Sequence, residues 1–366
     1  MNELVLLGIV FILLTVLGMP LFAAVGLTTA LALFLIDIPY TLMAQTGYTS
    51  LTPFPLLTIP AMKRQGYDVP FAAAIAASAG ALGSLIPPSN LMIIYGLVSE
   101  TSIPRLFLAG VIPGIIITGF LMITTYIIAR RRGYGGDGDR FTWGPFLRAG
   151  WEGKWAIGAP VLILGGIYGG AFTPTEAASV AVFYALFVGT FVYGELTFLK
   201  IVECLRFTAL MTGLLILLTP TLAFGQLSAF YDVPAAVESA ITAWTDNVFL
   251  VMILIGVFYI IVGTFMESLA QIILFTAVFL PLVTHLGVDP VLFGVFTVIT
   301  CEIGFLTPPL GGNLNVASRI SGITIEQISI AVLPFILAYS LGLVILIFVP
   351  EVSLWLPNLF YGEARY

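Results

Sequence analysis

Charge is what this chain most lacks: 9% of its 366 residues are Asp, Glu, Lys or Arg, against about 25% in a typical soluble domain. One histidine, His285, is too few for a metal cluster or a proton relay. Two cysteines, Cys204 and Cys301, sit in apolar stretches where a small buried hydrophobe is the simple reading, and they make neither a disulfide framework nor a metal site. No GxxxxGK[ST] run offers a cradle for nucleotide phosphates, and no spacing suggests a Ser/His/Asp or Cys/His pair. An enzyme is therefore a poor reading, no cofactor is implied, and the net charge of −6 argues against nucleic acid.

What fills the space is apolar: 60% of residues are hydrophobic. Uncharged windows at 4–36, 69–99, 106–129, 155–175, 177–194, 207–231, 247–266, 268–288 and 327–350 mostly reach the roughly 20 residues that cross a bilayer. The expectation is an all-α integral membrane protein. The first window follows Glu3 with no basic run before it and no small-residue cleavage site after it, so it reads as a retained anchor. Six of the 13 basic residues fall between Arg130 and Lys154, in a Gly-rich polar stretch that the positive-inside rule places in the cytoplasm.

Sliding the chain against itself by 221 positions pairs Pro60 with Pro281, Gly66 with Gly287, Asp68 with Asp289, Gly83 with Gly304, Pro87 with Pro308, Pro88 with Pro309 and Pro113 with Pro334. Such residues punctuate a backbone rather than merely fill lipid, so the register reads as a duplication. The expected organisation is a first membrane repeat over 1–129, a basic loop over 130–154 and a second repeat over 155–366. Pro20, Ala23 and Ala24 match Pro174, Ala177 and Ala178 at a smaller offset, 154. The two offsets differ by about 67 residues, which the first half then lacks between residue 24 and Pro60.

The paired prolines lie in Gly83-Ser84-Leu85-Ile86-Pro87-Pro88-Ser89-Asn90 and in Gly304-Phe305-Leu306-Thr307-Pro308-Pro309-Leu310-Gly311-Gly312-Asn313. Each proline lacks an N–H and pushes its predecessor out of helical conformation, so each window splits into two half-helices. In hydrocarbon the freed backbone groups need protein or a wet cavity, and half-helix ends near the midplane can bind ions. A kink or an interfacial turn is the plainer alternative. Glu267 and Glu302 stand in otherwise uncharged stretches, where a carboxylate is functional by default. Glu267 fits the tip of a re-entrant hairpin or an interfacial turn, and Glu302 the neighbourhood of the second break. Thr173-Pro174-Thr175-Glu176 is a capping-box sequence, with an ion-binding part for Thr173 or Thr175 left open. Arg319 could meet an anionic substrate or mark an interface.

On the stretches IPAMKRQG (59–66), IPPSNLMIIYG (86–96), GGIYGGAFTPTEAA (165–178), GTFMESLA (263–270) and EIGFLTPPLGGNLNV (302–316), the chain resembles the large membrane subunit of tripartite ATP-independent periplasmic (TRAP) transporters. The resemblance implies two repeats, inverted in the membrane, each with a helical hairpin and a broken helix. It implies sodium-coupled uptake of a small organic carboxylate, a dicarboxylate for example, across the bacterial inner membrane by an elevator-type permease. A periplasmic binding protein would deliver the substrate, and a small membrane subunit would be the partner. Carried over by motif, the site residues are Gly83, Ser84, Pro87, Pro88, Ser89 and Asn90, with Glu267, Ser268, Gly304, Thr307, Pro308, Pro309, Gly311 and Asn313. Thr173, Thr175 and Glu302 complete the candidates, and sodium would lie near Ser84, Asn90, Thr307 and Asn313. The chain departs from the family before Ile59, where the family has further transmembrane segments and a Gly/Ser-rich hairpin tip. The alternative is accordingly a deletion variant that inserts, and can bind the small subunit, but does not transport.

Overall fold

The computed structural model describes residues 54–134, 142–216, 230–309 and 311–362. The retained segment at 4–36, the stretch where the first half is short, and the matches at Pro20, Ala23 and Ala24 lie outside these residues. Among the described residues there are helices and turns and no strand. In chain order the helices are α1 (Phe54–Arg64), α2 (Val69–Gly83), α3 (Asn90–Val98), α4 (Ile103–Arg131), α5 (Trp143–Glu152), α6 (Lys154–Tyr168), α7 (Pro174–Phe187), α8 (Phe198–Ile216), α9 (Val233–Thr242), α10 (Val248–Gly263), α11 (Ser268–His285), α12 (Pro290–Phe305), α13 (Gly312–Ser321), α14 (Ile325–Phe348) and α15 (Glu351–Tyr361). They fall into two compact units, one holding α5–α8 and the other α1–α4 with α9–α15. Within the polar stretch 130–154, α5 makes one amphipathic helix rather than a loop throughout.

Among the described residues, four segments are long and apolar enough to cross a membrane: Ile103–Arg131, Pro174–Val192, Ser268–His285 and Ile325–Phe348. The protein is an all-α integral membrane protein. On α14 the exposed large side chains are Ile330, Leu333, Leu337, Leu341, Val344 and Phe348, spaced by three and four residues. That spacing puts them on one face of the helix, suited to lipid.

Helix starts follow the sequence chemistry. Asp289 Oδ1 accepts from the Val291 N–H at 2.7 Å, with Pro290 first in the helix, and Asn247 Oδ1 accepts from Phe249 and Leu250. Asp68 occupies the same position before α2 but caps nothing through its side chain. Its two oxygens are taken by Arg132 at 2.8 Å and Tyr134 at 2.5 Å, and this ties the start of α2 to the end of α4. The capping box is formed in full: Thr173 Oγ1 accepts from the Glu176 N–H, and Glu176 Oε2 from the Thr173 N–H.

A few long-range bonds set the helix directions in the larger unit. The buried Tyr95 hydroxyl donates to the Pro290 carbonyl at 2.7 Å, joining the end of α3 to the start of α12. Gly294 makes room there, since a Cβ on it would fall 2.5 Å from the Tyr95 ring. Tyr339 on α14 donates to the Ser78 carbonyl on α2 at 2.8 Å. Arg105, near the start of α4, donates to the Gly362 carbonyl at 2.9 Å and to Asn358 Oδ1 at 2.7 Å, while Ser353 donates to the Ala109 carbonyl. So α15 lies antiparallel along the first half of α4. The end of α4 borders the start of α14, where Ile128 and Arg131 face Ile330 and Pro334 across a groove. Broken helix α2–α3 thus runs from the Arg132 end to the Pro290 end, and α12–α13 runs the other way.

Arg105 is 9% exposed, and a charge-assisted bond to a buried group contributes about 1.5–3 kcal/mol. Arg105→Met keeps the stem and removes the donors. It is expected to lower the apparent melting temperature in detergent and to open the C-terminal helix to limited proteolysis, whereas Arg130→Met, at an exposed site, should change neither.

Candidate functional site

Each Pro-Pro break ends one helix and begins another, as the dipeptide dictates. α2 stops at Gly83 and α3 starts at Asn90, while α12 stops at Phe305 and α13 starts at Gly312. Half-helices of 15, 9, 16 and 10 residues are about 22, 13, 24 and 15 Å long. None alone spans the roughly 30 Å of hydrocarbon. Local backbone recurs 221 positions on: Gly66 and Gly287 have φ of 83° and 82°, and Pro87-Pro88 and Pro308-Pro309 are both cis.

The candidate hydroxyls near the breaks mostly serve the backbone. Ser89 Oγ donates to the Ser84 carbonyl and accepts from the Met92 N–H, so it closes the end of α2 and caps α3. Thr307 Oγ1 donates to the Ile303 carbonyl at 2.6 Å. Asn90 is the first residue of α3, half-buried. A Cβ on Gly83 would meet nothing within 4 Å, so packing does not demand glycine there. Gly311 has φ 29° and leads into α13, and a Cβ on the next residue, Gly312, would run into the Phe305 ring.

Between α10 and α11 the chain turns through Thr264 to Glu267, and Glu267 is the residue before the first turn of α11. Phe249, at the start of α10, stacks on Phe348 at the end of α14, 5.1 Å between ring centres. The far end of α11 leads through Gly287 into α12. The outer ends of α10 and α11 therefore share one side, and the turn between them points inward. It meets the second break directly: a Cβ on Gly304 would fall 2.7 Å from the Gly263 Cα, and one on Gly263 would fall 2.8 Å from the Gly304 Cα. Two glycines here let backbone touch backbone.

Glu302 lies at the centre, 4% exposed. Asn313 Nδ2, from beyond the second break, donates to its Oε2 at 3.3 Å. Ser84 at the first break and Ser268 at the hairpin approach the same carboxyl, although the Ser268 hydroxyl stays outside hydrogen-bonding geometry. Glu267 is close enough to interact with it through its charge. No Lys or Arg pairs with Glu302 among the described residues. Between the hairpin turn and the second break, a cavity of about 190 Å³ is lined by Gly263 to Glu267 and by Phe305, Gly311, Gly312 and Asn315. A buried carboxylate with no basic partner is stable only with a proton or cation on it, and hydroxyl, amide and carbonyl oxygens are the ligands a hard cation takes.

Of the candidates, the structure brings Ser84, Glu267, Ser268, Glu302, Gly304, Gly311 and Asn313 together. Thr173 and Thr175 belong to the other unit, where Thr173 caps α7 and the Thr175 carbonyl accepts from Ser179. Arg319 is exposed in the last turn of α13. Four further residues lie outside the sequence motifs. Gln271 is fully buried and donates to the Met266 carbonyl at 3.0 Å, bracing the hairpin turn. Tyr259, Thr276 and Thr297 bring buried hydroxyls together between α10, α11 and α12 without completing hydrogen bonds. The signal for Gln271 was its place four residues after Glu267 in an apolar run.

Residues 54–352 match a family model described as the DctM component of the tripartite ATP-independent periplasmic transporter. The chain is 42% identical over 300 residues to the isethionate TRAP transporter permease protein DctMQ of Oleidesulfovibrio alaskensis, a match that takes in 82% of this chain and 47% of that protein. It is 36% identical over 306 residues to the C4-dicarboxylate TRAP transporter large permease protein DctM of Pseudomonas aeruginosa, with 82% and 71% covered. To the sialic acid TRAP transporter large permease protein SiaM of Vibrio cholerae it is 37% identical over 315 residues, with 84% and 72% covered. The chain thus spans about half the length of the first of these relatives and about seven-tenths of the other two. By the family match and these relatives, the chain belongs to the DctM family, the large permease component of TRAP transporters.

Proposed function

We propose that this chain is the permease subunit of a TRAP-type secondary transporter, which takes up a small organic carboxylate together with sodium across the bacterial inner membrane. The observation that carries the reading is the buried Glu302 carboxyl, held by Asn313 of one break and faced by Ser84 of the other. Sodium, as co-substrate, would draw its oxygen ligands from this neighbourhood, and the cavity beside the hairpin turn gives the organic anion a place next to the Gly311-Gly312 backbone. Two of the substrates in the relatives' names, C4-dicarboxylate and sialic acid, are carboxylates, which supports the substrate class, and the third, isethionate, is a sulfonate. A small membrane subunit and a periplasmic binding protein are the proposed partners. The inward-pointing turn of α10 and α11 is read as the tip of a re-entrant hairpin. The opposite courses of α2–α3 and α12–α13 support an inverted pair of repeats.

A second reading is favoured by one observation. The self-matching register breaks just before Pro60, so α1, with 11 residues, is all the described chain offers where α10 and α11 form a full hairpin 221 positions on. In this reading the chain inserts and binds the small subunit but moves nothing.

Reconstitution into liposomes with a small subunit and a binding protein separates the two. Sodium-dependent uptake of an organic acid is expected under the first reading. No uptake by this chain, alongside uptake once about 67 residues of a relative are inserted before Pro60, would sink it. The sodium site is testable without transport. Sodium chloride is expected to raise the melting temperature above that in equal potassium chloride, and Glu302→Gln is expected to abolish the difference while leaving the potassium value within a few degrees. An unchanged sodium effect in Glu302→Gln removes Glu302 from the site.

A further inference from the structure

The three arginines that end α4 are not used alike. Arg130 donates to the Tyr126 hydroxyl at 3.0 Å, and Arg132 is bound to Asp68 and lies over the Phe71 ring at 5.6 Å. Arg131 has neither a hydrogen bond nor an ion pair among the described residues, and it is exposed. It borders, with Arg132, the groove of about 200 Å³ between α4 and α14. The other walls are apolar: Ile128 on α4, and Ile330, Ala331 and Pro334 on α14.

The level of this groove in the bilayer follows from helix length. α4 has 29 residues, about 43 Å at 1.5 Å per residue, which exceeds a hydrocarbon core of roughly 30 Å. At least one end of it then stands among lipid headgroups, and the basic run at its C-terminus, Arg130 to Arg132, marks that end. Tyr126, one turn in from Arg130, is exposed where an aromatic belt is expected. Below the groove the lipid-facing sides of both helices are apolar, with Met122, Ile123 and Ile127 exposed on α4 and Leu333, Leu337 and Leu341 on α14. The charge at this end is one-sided. Lys63 and Arg64 end α1 and Arg319 ends α13. Among the described residues, Glu326, exposed in the first turn of α14, and Asp68, already paired, stand against them.

We propose that the groove binds the headgroup of an anionic phospholipid, with its phosphate on Arg131 and Arg132 and its acyl chains along the apolar faces of α4 and α14. A cationic rim over an apolar cleft between membrane helices is the complement of such a lipid. A zwitterionic lipid offers the same acyl chains but no net charge to the arginines. The site is independent of the transport reading and of the Glu302 cluster.

Native mass spectrometry of the full chain with phosphatidylglycerol or phosphatidylcholine tests it. Wild-type protein is expected to retain phosphatidylglycerol, and to be stabilised by it, in preference to phosphatidylcholine. Arg131→Gln should cut that retention at least fivefold. Ile330→Trp, which fills the groove and keeps every charge, should do the same. Arg148→Gln, which alters an exposed arginine paired with Glu152, should retain the lipid fully. Retention of phosphatidylglycerol by both groove variants, or an equal loss in Arg148→Gln, would overturn the proposal. So would a photo-crosslinker at position 131 that captures a partner membrane protein and no lipid.

Discussion

Every peptide group that leaves a helix inside a bilayer must find a partner within the protein, because hydrocarbon offers none and each unmet group costs several kcal/mol. The two Pro-Pro breaks bring this cost to the middle of the molecule, and the surroundings are arranged around meeting it. Ser89 and Thr307 turn their hydroxyls back onto the carbonyls of Ser84 and Ile303. The Gly263–Gly304 contact then seats the turn between α10 and α11 against the second break, close enough that no side chain fits between. The breaks are thus held by short-range bonds and by backbone contact, and this leaves the polar atoms not so used free for a ligand.

Glu302 is the clearest of those. It stands two residues before Gly304, on the last turns of α12, where helix C-terminal carbonyls already make the potential negative. A carboxylate placed there without a basic residue raises the cost of its own charge. Asn313 contributes one donor, and the nearby Glu267 adds further negative charge. Such an arrangement is poor as a structural ion pair and well suited to a site that gains a cation and loses it again.

The two halves are not equal around this point. The second contributes α10, α11 and the turn with Glu267 and Ser268. From the first half the described chain gives α1, which begins only six residues before Pro60. In the self-matching register, that difference is one of chain length before Pro60. It is the reason family membership and transport activity are separate questions for this protein.

The sequence by itself determined the class of the protein, the places where helices stop, and the family. Scarcity of charge demands a lipid environment, and proline ends a helix through its own covalent structure, so both were legible without coordinates. The capping box at Thr173 was legible for the same reason, being a local geometry of four residues. Only the tertiary structure decided which candidates meet. Ser84 and Glu302 are 218 positions apart, and Thr173 and Thr175, carried by an equally specific motif, fall in a different unit. The Gly263–Gly304 contact was missed because its importance lies in what another helix brings to within 3 Å, and periodicity along one segment holds no information about that. Arg131, unpaired among the described residues, was hidden likewise: three adjacent arginines look alike in sequence, and helix twist, with Asp68 and Tyr126 as neighbours, sends them to three different fates.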